Sequence, residues 1–289
     1  MAGRWRGRPA HSGVGSATVD EQPQATVDEL SRVAVVTGAA RGIGAAVVRH
    51  LADRGWRVVA VDACADDPAV GYPLGTRAEL AAVCAPYGTA VRPAVADVRD
   101  LAGLQAAVAL AEDSFGGLDA AVAGAGVIAG GSNAWETDAE TWRVLLDVDV
   151  LGVANLVTAA VPALLRRPEP RTGRFVAIAS AAAHRGMWKL SAYNAAKHAV
   201  VGLVAGLAVD LRGTGVTATA ASPGSTRTAM LDASAAIYGM GSVQEFAAHQ
   251  LTESVLDPDQ IAAAIGWLCS AQSAAVTGSV LHADGGFIG

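Results

Sequence analysis

From Arg32 onward the chain repeats one pattern: a short run of β-branched or small apolar residues, a turn, then a longer amphipathic stretch. Runs that are apolar at every position, not at alternate ones, suit strands covered on both faces. Strands separated by helical stretches suit a parallel sheet with crossover helices. The predicted strands are Val33 to Thr37, Arg57 to Val61, Val91 to Ala94, Ala120 to Ala123, Arg174 to Ala179, Val216 to Ala220 and Ser279 to His282. Helices are predicted near 42 to 54, 77 to 86, 100 to 115, 137 to 166, 191 to 212 and 257 to 271. Right-handed crossovers turn this order into an α/β fold, a doubly wound parallel sheet of about seven strands with helices on both faces. No linker or repeat follows residue 32, so 32 to 289 is expected to be one domain. Its ligand should lie beyond the strand C-termini.

Composition narrows the function classes. With 52% hydrophobic and 17% charged residues the chain has ample material for a core, which excludes a disordered or fibrous protein. At net charge −6, with no Lys/Arg cluster beyond residues 4 to 8, it lacks the basic footprint a nucleic acid requires. Apolar windows of near-membrane length are broken by Arg, Asp, Gly or Pro, so no spanning helix is expected. Cys64, Cys84 and Cys269 are far apart with no C-x-x-C arrangement, which fits a reducing cytoplasm and no thiolate metal site. The six His residues show no ligand spacing, and no catalytic metal is expected. Residues 1 to 31, with Arg4, Arg6 and Arg8 followed by Gly, Ser, Pro and Gln, read as a disordered leader; an extended start site or a weak interaction arm are the alternatives.

Directly after the first strand stands Thr37-Gly-Ala-Ala-Arg-Gly-Ile-Gly44. Gly38, Gly42 and Gly44 permit a tight turn and close backbone approach to a pyrophosphate at a helix N-terminus, with Arg41 and Ile43 beside it; this is the Rossmann-like dinucleotide signature. Asp62 ends the second strand, where a carboxylate accepts from the adenosine ribose hydroxyls and repels a 2′-phosphate, favouring NAD over NADP. It either does this or caps the following turn, and Arg41 is the residue that could meet a phosphate instead. Asp97 and Val98, at the end of the third strand, are candidates for an adenine contact, whereas Asp100 suits a helix N-cap.

Tyr193 and Lys197 are four residues apart, on one face of a predicted helix. A phenol, with an unperturbed pKa near ~10, does acid/base work near neutrality when a cation beside it favours phenolate. Ser180, thirteen residues before Tyr193 at a strand end, can hydrogen-bond the reacting oxygen from the other side. Taken singly, these are a packed aromatic, a solvated charge and a strand-end hydroxyl. Together with Thr37 to Gly44, in this order, they make residues 32 to 289 resemble the short-chain dehydrogenase/reductase family.

That resemblance implies hydride transfer between a nicotinamide cofactor and an alcohol or carbonyl. Tyr193 would be the general acid/base, Ser180 the orienting group, and Lys197 the holder of the nicotinamide ribose that also lowers the Tyr193 pKa. Pro223, Gly224, Thr226 and Thr228 would meet the nicotinamide carboxamide, and a homotetramer is implied. Two departures stand out. The family's Asn-Asn-Ala-Gly is here Ala123-Gly124-Ala125-Gly126, which keeps the close-approach glycines and loses a side-chain hydrogen bond. Its catalytic Asn falls on Asp149, a carboxylate expected to pair with Lys197 and alter the pH profile.

Residues 63 to 77 open the long stretch between Asp62 and Asp97. With Gly126-Val-Ile-Ala-Gly-Gly131 they resemble the segment that marks dehydrogenases associated with the redox carrier mycofactocin. There the insertion is expected to fold over the adenosine end and hold NAD without exchange; otherwise it is a surface ornament. Residues 229 to 256 have the make-up of a mobile apolar lid, and Met187, Trp188, Met230 and Leu231 are the candidate pocket wall, or else core or subunit-interface residues. The expected substrate is a small hydrophobic alcohol or ketone. The alternatives are an NADPH-dependent 3-oxoacyl thioester reductase and a non-catalytic NAD-binding sensor or scaffold.

Overall fold

A computed structural model describes residues 32–288, so the expected leader, 1 to 31, lies outside the described residues. Successive side chains of each central strand enter two different apolar layers. In β1 (Val33–Thr37), Val33 and Val35 join one core while Ala34 and Val36 join the other, all fully buried. This two-sided burial is why the strand runs are apolar at every position.

With β2 (Arg57–Asp62), β3 (Val91–Val95), β4 (Ala120–Ala123), β5 (Arg174–Ile178), β6 (Thr217–Pro223) and β7 (Val280–Ala283), the sheet is wholly parallel in the order β3-β2-β1-β4-β5-β6-β7. Every predicted strand is present. The largest shift is in β6, which runs three residues past the predicted Ala220 because pairing with β7 continues to Pro223 opposite Ala283.

Helices α3 (Leu101–Phe115), α5 (Gly152–Arg166) and α6 (Ser191–Asp210) cover one face through Leu104, Leu156, Leu164, Val200 and Val204. On the other lie α1 (Gly42–Ala52), α2 (Arg77–Cys84) and α8 (Pro258–Cys269), through Val47, Leu51, Leu80, Ile261 and Ile265. Asp100 caps α3, its side chain accepting from the Ala102 amide at 3.0 Å, and left-handed Gly116 ends the helix.

The helix predicted over 137 to 166 is composite. An α-helical start, α4 (Ala139–Leu145), passes through a π-helical turn, Leu146–Leu151, into α5. The turn carries Asp149 inward to full burial. Ala139–Arg166 and Ser191–Asp210 are each long and apolar enough to cross a membrane, because the charges and Pro162 do not interrupt the helix; both pack one face on the sheet. The apolar lid expected at 229 to 256 begins as a regular helix, α7 (Ala229–Tyr238), capped by the Thr228 hydroxyl and closed by left-handed Gly239.

Strand order reverses between β1 and β4, and there the crossovers part to leave a crevice at the strand C-termini. The opposite end is tied by Asp119, which accepts from the Val33 amide at 2.8 Å and from the Arg167 guanidinium at 2.8 and 2.7 Å. Replacing a largely buried carboxylate that serves both a strand amide and an arginine leaves both donors unpaired. Asp119→Ala should therefore cost about 2–4 kcal/mol in denaturant unfolding, with the m-value unchanged.

Candidate active site

The crevice begins where β1 meets the loop after β4. The Thr37 hydroxyl accepts from the amides of Gly124 and Ala125 at 3.1 and 3.2 Å, drawing the two chains together. A Cβ on Gly38, whose φ is +69°, would stand 2.8 Å from the Ala125 backbone, and one on Gly44 would stand 2.0 Å from the Gly38 carbonyl oxygen. Only glycine fits this turn. It delivers the N-terminus of α1 to the crevice with no side-chain cap on its amides, a cradle suited to a diphosphate.

Asp62 takes up the second of the two sequence readings, the turn cap, at the cleft wall. Its Oδ2 accepts from the Ala40 amide and its Oδ1 from the Cys64 amide, each at 3.0 Å, so it caps the turn while lining the cleft. Arg41 donates to the Pro73 carbonyl, and its guanidinium lies 5.9 Å from the centre of the Tyr72 ring. Asp97 forms a two-pronged pair with Arg99, with contacts at 2.6 and 3.0 Å. Burial works to raise the Asp97 carboxyl, but the Arg99 hydrogen bonds outweigh it and hold the group below the usual carboxylate range.

At the other end, Tyr193 and Lys197 share the inward face of α6, the ammonium 5.6 Å from the phenol ring centre, and both are buried. Lys197 Nζ is 3.1 Å from Asp149 Oδ2 and donates to the Ile178 carbonyl at 3.4 Å. The Lys197–Asp149 contact is a buried ion pair, and Asp149 Oδ1 accepts from the Val127 amide at 2.8 Å. The expected pairing of Asp149 with Lys197 is thus present. Burial pushes the Tyr193 phenol up, Lys197 opposes this, and Asp149 reinforces it. Burial also pulls on Lys197, but Asp149 and Tyr193 more than compensate and keep the ammonium charged. Ser180, just past β5, accepts from the Ala182 amide at 3.1 Å, which leaves its own hydrogen to donate.

One cleft of about 320 Å³ joins both ends. It is lined by Gly38, Arg41, Gly42, Ile43, Gly44, Asp62, Asp97, Val98, Gly124 and Ala125, and further along by Ser180, Tyr193, Lys197, Pro223, Gly224, Thr226 and Thr228. Met187, Met230 and Leu231 line its apolar part with Leu190, Tyr238 and Phe246. Three expected residues are placed differently. Ala123 is sealed inside β4, and Asp149 lies behind Lys197 with no exposed surface. Trp188 is 65% exposed and turned outward; its neighbour Lys189 takes a left-handed backbone, and the indole stacks on Tyr238 at 6.3 Å instead of lining the wall.

Ile128, within Gly126 to Gly131, and Phe287, which has no motif of its own, also line the cleft. Phe287 is brought in by an isolated antiparallel bridge to Gln250, a long-range pairing without local signature. The insertion after β2 lines the cleft at its Asp62 end and also reaches the cluster around Tyr193. Asp67 pairs with Arg99 at 2.7 Å, while Val70 and Tyr72 pack in the cluster that contains Tyr193. Among the described residues no group of three His, Cys, Asp or Glu side chains is arranged to hold a metal ion.

A parallel sheet reversing at β1/β4, a glycine cradle and a buried Tyr-Lys pair beside a serine define a dinucleotide-dependent oxidoreductase site. Residues 38–288 match the family described as enoyl-(acyl carrier protein) reductase, and the chain belongs to the short-chain dehydrogenase/reductase family of NAD(P)-dependent oxidoreductases. It is 34% identical over 268 residues to an uncharacterized oxidoreductase of Mycobacterium tuberculosis, covering 89% of this chain and 96% of that one. To the (-)-trans-carveol dehydrogenase of Rhodococcus erythropolis it is 39% identical over 183 residues, covering 62% of this chain and 65% of the relative. The crystal structure of carveol dehydrogenase from Mycobacterium avium in complex with NAD superposes with a TM-score of 0.80 at 28% identity, covering 88% of this chain and 96% of that one.

The close packing at the turn sets a direct expectation. Gly44→Ala must force the Gly38 carbonyl aside, lowering stability by about 2 kcal/mol and abolishing nucleotide binding, as read by thermal unfolding with and without NAD.

Proposed function

We propose that this chain is an NAD-dependent alcohol dehydrogenase or carbonyl reductase for small hydrophobic alcohols and their ketones. The observation that carries the reading is the buried Tyr193 phenol set over Lys197 and beside Ser180 in a largely apolar cleft. When bound, NAD supplies the hydride acceptor, or as NADH the donor. Gly38, Gly42, Gly44 and the amides of α1 would hold its diphosphate, Asp62 its adenosine ribose, and Thr226 and Thr228 its carboxamide end.

The protein's own groups then manage a proton. Ser180 donates to the substrate oxygen and fixes its position, while Tyr193 Oη takes the carbinol proton during oxidation or returns one during reduction. Lys197 stabilises the phenolate, and Asp149 sets how strongly it does so. The Asp62 carboxylate opposes a 2′-phosphate, while Arg41 has one of its donors engaged by the Pro73 carbonyl. Met187, Met230, Leu231 and Tyr238 offer dispersion contacts and no charge, which suits an apolar carbinol. The carveol dehydrogenase relatives support the same substrate class.

The strap over residues 63 to 77 supports retention of NAD between turnovers, with mycofactocin as the external carrier that would reoxidise it. We further assign the chain to the cytoplasm, as a homotetramer whose subunits each fold as one domain over 32 to 289.

Three results test this reading. Protein purified without added nicotinamide and then denatured should release about one NAD and no NADP per chain, and native protein should oxidise an alcohol once unless an artificial acceptor is present. NADPH-dependent turnover of 3-oxoacyl thioesters would replace the proposal. Tyr193→Phe should lower turnover by about 10²–10⁴-fold while leaving bound NAD unchanged; equal turnover would remove Tyr193 from the chemistry. Alcohol oxidation needs the phenolate, so its rate falls as pH drops through the Tyr193 pKa. Asp149 raises that pKa, hence Asp149→Asn should move the acid limb of turnover to lower pH. An unmoved limb would take Asp149 out of the proton chemistry.

A further inference from the structure

Tyr72, in the strap, touches both lips of the cleft. Its ring lies 5.9 Å from the Arg41 guanidinium at the glycine-rich turn, and its hydroxyl oxygen accepts the Ile128 amide, from the loop after β4, at 3.2 Å. The flanking Arg41 bond to the Pro73 carbonyl and the packing of Val70 beside Val127 and Tyr193 fix the ring in place. A phenol has one hydrogen to give. With its oxygen serving Ile128, that hydrogen has no acceptor among the described residues, although the side chain lines the cleft. Burial pushes the Tyr72 phenol up to about 12, so it keeps its hydrogen near neutral pH.

Arg41 belongs to the turn that cradles the diphosphate, and Ile128 follows the loop that faces Lys197. A donor fixed between them faces the stretch of the cleft that joins the glycine-rich turn to the Tyr193–Lys197 end. We propose that Tyr72 is a cofactor-holding residue that donates its free phenol hydrogen to an oxygen of the ribose–diphosphate stretch of the bound dinucleotide. This rests on the NAD reading above and adds to it a specific contact from the strap. The bond is to an anionic phosphate oxygen or to a ribose hydroxyl, and ligands that differ in these groups tell the two apart.

The test compares the full chain with Tyr72→Phe, which keeps the ring and removes only the hydroxyl. Release of bound NAD into a trap is followed by fluorescence, and NAD, ADP-ribose, ADP and AMP are titrated calorimetrically into nucleotide-free protein. Loss of a bond to the cofactor should speed NAD release about 10-fold or more and weaken ADP-ribose by a similar factor, with AMP unchanged. ADP weakened alongside ADP-ribose assigns the bond to the diphosphate; ADP unaffected assigns it to the ribose. Unchanged NAD release, an equal loss for AMP through loosening at Ile128, or an effect confined to the KM of the alcohol would each overturn the assignment. Wild-type protein that binds no dinucleotide would overturn the NAD reading itself, an outcome separate from wild type binding NAD and Tyr72→Phe binding it equally well.

Discussion

The site depends on a close approach of two backbones at the β1/β4 reversal. Thr37 gives its hydroxyl oxygen to two amides of the neighbouring loop, and glycines at 38, 44 and 124 remove every Cβ that would hold the chains apart. The approach is possible only because β1 is central, buried on both faces and held in register with β2 and β4. The sheet order therefore supplies the crevice, and the absence of side chains at its floor supplies the room.

A second constraint is electrostatic. Three ionisable side chains, Tyr193, Lys197 and Asp149, are packed together out of water, where a lone charge is costly. Asp149 answers the Lys197 charge and is itself held by the Val127 amide, so the group is balanced as long as the phenol stays neutral. Burial pushes the Asp149 carboxyl up against the pull of Lys197 and the Val127 amide, so a phenolate formed beside it must share the Lys197 ammonium with a second acid. This differs from a site with an uncharged amide at position 149, where the ammonium would act on the phenol alone.

Much of this is legible in the sequence because it is local. The seven strands announce themselves as apolar runs, while the turn residues of Thr37 to Gly44 and the helical spacing of Tyr193 and Lys197 locate both ends of the cleft. Asp149 is readable as a departure from the family's Asn, and its partner follows from proximity to Lys197. What stays hidden depends on tertiary direction. Nothing local distinguishes Met187, which faces the cleft, from Trp188, which turns away at the left-handed Lys189. α7 escapes a reading by periodicity although Thr228 and Gly239 bracket it, since its small and apolar residues carry little amphipathic signal. Phe287 and the reach of Tyr72 are products of long-range pairing.

The π-helical turn Leu146–Leu151 has a consequence for phase. In an unbroken α-helix Leu145 and Leu156, eleven residues apart, would lie within about 20° of each other around the axis. Yet Leu145 packs in the cluster around Tyr193, whereas Leu156 packs against the sheet. One extra residue in the π turn rotates everything downstream by about 100°, so a single rod can serve two cores that face in different directions. The bulge is thus a gear between the scaffold and the site, and Asp149 rides on the tooth where the phase changes.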